Sequence, residues 1–214
     1  MLIAVGKTQE IYCGGNYHHI NHTAVEEIQK KYNLIYADPP WNYSDVRGGK
    51  IMHGGIGRHY KTLKTEEICK LPIKDLADED CLLFIWATMP NLPEVFKVIT
   101  AWGFKYSTIG FTWVKLNSQN MKPFFGIGNY TKSNAELCFI ATRGKTLKFK
   151  KSNKISSIIL SKRREHSRKP DEARRRIELL FGNIPKIELF ARQKFEGWDC
   201  WGNEVPKEVQ KVLL

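Results

Sequence analysis

Six short apolar runs rich in β-forming residues punctuate the chain: LIYA (34–37), CLLFIW (81–86), TIGFTWV (108–114), AELCFIA (135–141), SSIIL (156–160) and KIELF (186–190). Such continuous runs suit strands covered on both faces, as in the parallel sheets of α/β proteins. Segments with helical spacing lie between them. Leu92, Val95, Phe96 and Ile99 fall at i, i+3, i+4 and i+7, with Gly103 as a stop signal. A second helix is expected from Pro170, with Asp171 and Glu172 at the positive end of its dipole. Its apolar face would be Ala173, Ile177, Leu180 and Phe181, closed by Gly182. The expected fold is α/β, a mainly parallel sheet with helices on both faces.

At 214 residues and 42% hydrophobic, the chain can bury one sizeable core, so a single domain over residues 1–214 is expected. Long loops are expected near 42–62, 116–134 and 142–155, and loops of that length usually either function or move. The five cysteines (Cys13, Cys69, Cys81, Cys138 and Cys200) are scattered, with no CxxC pair. That spacing suggests neither a disulfide framework nor a zinc site, and it fits a reducing cytosol. Apolar runs such as Leu82 to Ala87 are too short to cross a bilayer, and Met1 to Gly6 lacks a basic start, so a soluble intracellular protein is expected.

The most informative run ends in chemistry, as LIYADPPW (34–41). In an open parallel sheet, ligands bind beyond the carboxyl ends of the strands, which puts Asp38 at the crevice. Pro39 and Pro40 fix φ and donate no backbone hydrogen bond, so their carbonyls are held as acceptors. Trp41, with Tyr43 nearby, adds a flat apolar face. A carboxylate, a rigid carbonyl and aromatic surfaces suit the exocyclic amino group of adenine, whose lone pair is delocalised into the ring. Two acceptors pulling on its hydrogens favour a tetrahedral nitrogen able to attack an electrophilic methyl carbon, and stacking suits a base taken out of its helix. Asp-Pro-Pro is also an ordinary turn.

Five motifs occur in one order: DPPW after a strand, WVK (113–115), HSRKPDE (166–172), IELFAR (187–192) and GWDCWGNE (197–204). On these motifs the chain resembles the adenine-N(6) methyltransferase family that includes the catalytic subunit of the eukaryotic mRNA adenosine methyltransferase. It is most similar to the short bacterial and phage members, over about residues 32–204. The resemblance implies a Rossmann-like fold using S-adenosylmethionine, with the acceptor motif preceding the cofactor half in a permuted, β-class-like order. By similarity, Asp38, Pro39, Pro40 and Trp41 form the catalytic motif, with Asp38 and the Pro39 carbonyl holding the target amino group. Asp38 would also lie near the cofactor's methionine end. Ser167 and Lys169 would sit beside the active site, among the cofactor contacts. Glu188, Leu189, Phe190, Arg192, Asn203 and Glu204 would contact the cofactor, Glu188 through ribose hydroxyls.

Read from the residues alone, Glu188 and Arg192 are equally a salt bridge across a turn. Ser167 before the proline is a capping signature, Arg168 and Lys169 suit a solvated face, and Trp198 and Trp201 suit a core. Family members often carry an acidic or polar cofactor contact on a strand before DPPW. Ile11 to Thr23 has no carboxylate, so that contact has no assigned residue here.

The formal net charge of +12 favours a polyanionic partner. Val46 to Thr65 holds five Lys or Arg and no acid, and Leu137 to Arg164 holds nine and no acid. On predicted loops of a base-modifying fold, these read as phosphate contacts. Candidates for nucleic-acid binding are Tyr43, Arg47, Lys50, Arg58, His59, Asn129, Tyr130, Lys132, Lys148, Lys150, Lys151, Arg163 and Arg164. DNA is favoured over RNA, because the compact layout resembles prokaryotic DNA methyltransferases, and a monomer or homodimer is expected. An RNA adenosine methyltransferase and a catalytically silent nucleic-acid-binding subunit are the alternatives. Other chemistries lack their signatures. Gly55-Ile-Gly57 has no third glycine, there is no GKS or GKT loop, and the zinc deaminase motif is missing. A nuclease pairing Asp171 with Glu188 would need a lysine where Phe190 stands.

Overall fold

The apolar run at 34–37 becomes an interior strand of the main sheet because both of its faces find cover. Leu34 and Tyr36 point to one side of a sheet, Ile35 and Ala37 to the other, and all are buried. The computed structural model describes residues 9–13, 16–20, 30–42, 45–47, 50–52, 62–126, 128, 130–164 and 168–207, with backbone alone for 9–20 and 45–52.

Two compact units divide the chain, residues 1–30 and 31–214. In the first, β1 (Gln9–Cys13) pairs antiparallel with β2 (Asn16–Ile20). The second begins with β3 (Tyr32–Ala37). A small antiparallel hairpin, β4 (Asp45–Arg47) with β5 (Lys50–Met52), interrupts the stretch expected as a loop.

The main sheet adds β6 (Ala77–Ala87), β7 (Lys105–Leu116), β8 (Ala135–Arg143), β9 (Ile158–Lys162), β10 (Lys186–Leu189) and β11 (Asp199–Trp201). The order across it is β11-β10-β3-β6-β8-β7-β9. β8 runs antiparallel to both its neighbours, and every other pairing is parallel. Because only β8 is reversed, the carboxyl ends of β3, β6, β7, β9 and β10 share one end of the sheet with the start of β8.

Among the described residues, four α-helices cover the faces. Helices α1 (Thr65–Cys69), α2 (Ile73–Leu76) and α3 (Leu92–Ala101) bury Ile68, Ile73, Val95, Val98 and Ile99 against Ile35, Leu83, Ile85 and Phe139. The Trp102 indole N–H donates to the Ile68 carbonyl at 2.9 Å and ties α3 to α1. On the opposite face, α4 (Asp171–Phe181) packs Ala173, Ile177 and Phe181 against Leu34, Phe84 and Phe111. Each buried Val, Leu, Ile or Phe among them is worth roughly 1.5–3 kcal/mol. Gly103 and Gly182 end α3 and α4 at φ of 80° and 69°, a region few side-chain-bearing residues enter. The N-cap of α4 is Pro170 itself, and Ser167, expected as a cap, lies outside the described residues.

Candidate active site

Segments at the common end of the sheet enclose a cavity of about 510 Å³, within the roughly 300–1,000 Å³ typical of small-molecule sites. Its walls are Asp38 to Trp41 after β3, Trp86 to Thr88 at the end of β6, Glu136 at the start of β8, Lys169 ahead of α4, Phe190 to Arg192 after β10, and Trp201 to Glu204 at the end of β11. DPPW, Lys169, IELFAR and GWDCWGNE thus converge from distant parts of the sequence.

A relay of alternating charges runs along one wall. The Lys169 ammonium lies 2.8 Å from Asp38 Oδ1 and 3.1 Å from Glu136 Oε2, and Lys115 pairs with the other Glu136 oxygen. The Lys169 side chain is only 10% exposed and that of Glu136 4%. Burial works against the charge on Lys169, yet Asp38 and Glu136 outweigh it and hold its pKa above the ordinary value. Burial likewise opposes ionisation of Glu136, but Lys169 and Lys115 prevail and its pKa falls. Burial raises the Asp38 pKa, with Lys169 opposing the shift. Lys169 is therefore a buried, paired cation, not part of a solvated face.

The DPPW turn is held from inside. The Pro39 carbonyl accepts the Trp41 backbone N–H at 2.8 Å, and the Pro40 carbonyl accepts that of Leu63 at 2.9 Å. Expected as free acceptors, both carbonyls already have one partner. Each retains a second lone pair, and both prolines line the cavity beside Asp38. The Trp41 indole N–H donates to the Trp86 carbonyl at 2.9 Å. This fixes Trp41 as a buried wall rather than an exposed stacking platform.

The opposite wall departs from expectation at its centre. Strand β10 ends at Leu189, and Phe190 turns at φ 58°, costly for an aromatic residue. That turn presents Phe190 to the cavity, its ring 5.4 Å from Trp201. Leu189 is fully buried in the core and absent from the cavity wall. Glu188 does not reach the large cavity either. Both its oxygens accept from one Arg174 nitrogen, at 3.0 and 3.1 Å, beside a narrower cleft that shares Asp38, Lys169, Phe190 and Arg192. Burial pushes the Glu188 carboxyl up to about 7, with Arg174 opposing. The salt bridge across the turn that sequence suggested pairs different residues. Arg192 lies 3.8 Å from Glu204, and Glu188 belongs to Arg174.

The reversal of β8 divides the nucleic-acid candidates. The β7–β8 connection, with fully exposed Tyr130 and exposed Lys132, leaves from the cavity end, and so does the segment after β9. There the Arg163 guanidinium stacks 4.2 Å from the Phe124 ring centroid. Arg164 is engaged inward, 2.7 Å from Asp171. Lys148, Lys150 and Lys151 emerge at the other end, because β8, antiparallel to β6, delivers its downstream chain to the amino ends of β3 and β6. Lys148 pairs there with Asp80, and the Lys151 N–H donates to the Leu180 carbonyl at 2.7 Å. Expected as phosphate contacts of a site-facing loop, these lysines are remote from the cavity. Tyr43, Arg58, His59, Asn129 and Ser167, and the side chains of Arg47 and Lys50, lie outside the described residues.

Trp86, Glu136, Lys115, Arg174 and Trp201 were not singled out from sequence as parts of a site. Glu136 did leave a signal, a lone acid inside AELCFIA, and Trp201 lay within a quoted motif.

Comparison with known proteins agrees with this geometry. The MT-A70 family matches residues 32–204. The Mycoplasma type II methyltransferase M.MunI is 34% identical over 83% of this chain and 79% of its own length. The human N(6)-adenosine-methyltransferase catalytic subunit METTL3 is 29% identical over 83% of this chain but 29% of its own length. A probable N(6)-adenosine-methyltransferase of rice is similar at 29%, with 84% of this chain and 24% of its own length covered. The matched span runs from the first residue of β3 to the last cavity residue, so the shared sequence is the sheet and the pocket it builds, and the chain belongs to the MT-A70 family of methyltransferases.

Proposed function

We propose that this chain is a DNA adenine-N(6) methyltransferase using S-adenosylmethionine. The observation that carries the reading is Asp38, anchored by Lys169 beside the Pro39 carbonyl on the wall of the cavity. The residues present fit the cofactor. A Cβ at Gly202 would collide with the Ala191 carbonyl oxygen, so glycine lets residues 190–192 and 202–204 share one wall. Lys169 suits a carboxylate, Phe190 and Trp201 suit a ring, and Asn203 and Glu204 suit hydroxyl or amino donors. When bound, S-adenosylmethionine supplies the electrophilic methyl group.

The chain's own groups act on the acceptor. Asp38 and the Pro39 carbonyl accept from the two amino hydrogens and localise the nitrogen lone pair. Lys169, itself held by Glu136, keeps the Asp38 carboxylate oriented, and Asp38 is the nearest acceptor for the proton the nitrogen sheds. Fixed donors and acceptors in a shielded site need no rearrangement as charge develops.

DNA is favoured because this chain is 34% identical to the type II methyltransferase over 79% of that protein's length, against 29% identity to METTL3. The test is transfer of labelled methyl to double-stranded DNA, single-stranded DNA and RNA, with nucleosides identified by mass spectrometry. Methyl-adenosine in RNA alone would replace the DNA reading. No transfer, with nucleic acid still bound, would favour a silent binding subunit.

Topology separates two sets of cations. Neutralising Lys132 and Arg163, at the cavity end, is expected to flatten the salt dependence of nucleic-acid binding by about one phosphate each. Neutralising Lys148, Lys150 and Lys151 together is expected to change affinity less than about twofold. Binding titrations across salt concentrations decide it, and a large loss from the second set would place nucleic acid at both ends of the sheet.

A further inference from the structure

Arg174 has no role in the reaction as described, yet it is buried one turn into α4, where a surface helix would ordinarily carry an apolar residue. Three elements converge on its guanidinium. Its Nη1 donates to both oxygens of Glu188 at the end of β10, at 3.0 and 3.1 Å. Its Nη2 donates to Asp171 in the first turn of its own helix. Its flat face lies 3.6 Å from the ring centroid of Phe195, in the loop between β10 and β11. A planar fork stacked on an aromatic ring and bonded at its edges is a geometry lysine does not reproduce.

The placement matters because of what each element carries. The segment entering α4 brings Lys169, and through it Asp38. The turn after β10 brings Phe190 and Arg192, and Phe190 holds a left-handed backbone that must be braced from outside. Arg174 is the side chain that joins α4 to both ends of this turn, Glu188 before it and Phe195 after it.

We propose that Arg174 is a positioning residue for the cofactor wall: it fastens the turn carrying Phe190 and Arg192 to the first turn of α4, and so sets that wall relative to the Lys169–Asp38 pair. The inference rests on the reading that the large cavity takes S-adenosylmethionine. Arg174 is absent from the wall of the large cavity and acts through Glu188 and Phe195. Burial of Glu188 favours its neutral form, so Arg174 also preserves the carboxylate on which the fastening depends.

The experiment measures binding of S-adenosylhomocysteine by calorimetry, and KM for S-adenosylmethionine against kcat, in the full chain and in R174K, R174M and F195L. R174K keeps the charge but loses the fork and the stack, and is expected to weaken binding about tenfold, with KM rising more than kcat falls. R174M, which leaves Glu188 without its partner, is expected to lose more. F195L keeps every charge and is expected to lose about threefold, so the inference stays testable should both Arg174 variants fail to fold. A merely structural role would lower the unfolding midpoint and leave affinity and KM alone; wild-type affinity within twofold in the folded variants overturns the proposal. No binding by the unaltered chain would instead sink the cofactor reading beneath it.

Discussion

Replacing Asp38 with alanine is expected to cut methyl transfer at least about a thousandfold, roughly 4 kcal/mol of transition-state stabilisation, and to leave nucleic-acid affinity within about threefold. On the proposed reading the carboxylate is one of two acceptors that withdraw the amino hydrogens, and the other acids lining the cavity, Glu136 and Glu204, come from distant segments. Affinity should be spared, because phosphate contacts would come from cations outside the cavity. Folding should be spared as well. Lys169 keeps Glu136 at 3.1 Å when Asp38 is gone, and the Asp38 side chain is 23% exposed, so water can fill its place. Asparagine at this position keeps the shape and one acceptor oxygen but loses the charge facing Lys169, and an intermediate loss of about a hundredfold is expected. Single-turnover assays at saturating cofactor, with binding measured separately, check both variants. Substantial transfer by the alanine variant would remove Asp38 from the chemistry, and a large loss of affinity in a folded variant would mean the same pocket supplies most of the grip.

Much of this fold was legible because its strands are buried on both faces. Continuous apolar runs marked β3, the core of β6, and β8 and β10, while the i, i+3, i+4 spacing marked α3. Direction was not legible. A strand buried on both sides has the same composition whichever way it runs, so the reversal of β8 left no local trace. That one reversal decides which basic segment reaches the cavity, and hence why Tyr130 and Arg163 lie at the cavity end and Lys148 does not. Residues 199–201 were too few to show a period, and β11 emerges only through its pairing with β10. At the site, motif order brought out Asp38, Lys169, Phe190, Arg192, Asn203 and Glu204, all of which line the cavity. Spacing could not say which acid meets which cation. Glu188 and Arg192 are four residues apart, yet each chose a partner from another segment, Arg174 and Glu204, because the left-handed turn at Phe190 points them apart.

The charge relay implies a second large effect, on stability. Lys115, Glu136, Lys169 and Asp38 amount to two ammoniums and two carboxylates in a largely water-free space. Glu136 sits between the two cations, so replacing it with glutamine leaves two ammoniums against the single carboxylate of Asp38, which lies beside Lys169. Breaking a buried pair in this way typically costs about 3–5 kcal/mol, far more than removing an exposed one. The loss should be recoverable without restoring the acid. Adding Lys115→Met to Glu136→Gln removes the surplus cation, leaves Lys169 with Asp38, and lays an apolar chain against the Trp113 ring that Lys115 now covers at 5.3 Å. The double variant is expected to regain more than half of the stability lost. The sign of the pH dependence comes from the same pairing. The Glu136 carboxyl titrates below its ordinary value, so its contribution is complete above the unfolded-state value near 4.5 and is lost as pH falls through the lower folded-state value. The gap between the unaltered chain and Glu136→Gln should therefore be widest near neutral pH and narrow in acid. Urea unfolding of the three proteins at pH 7 and in acid measures every part of this. A single variant that costs less than about 1 kcal/mol, or a double variant no better than the single, would mean that the relay's charges are already well solvated and that Glu136 does not hold Lys169 against Asp38.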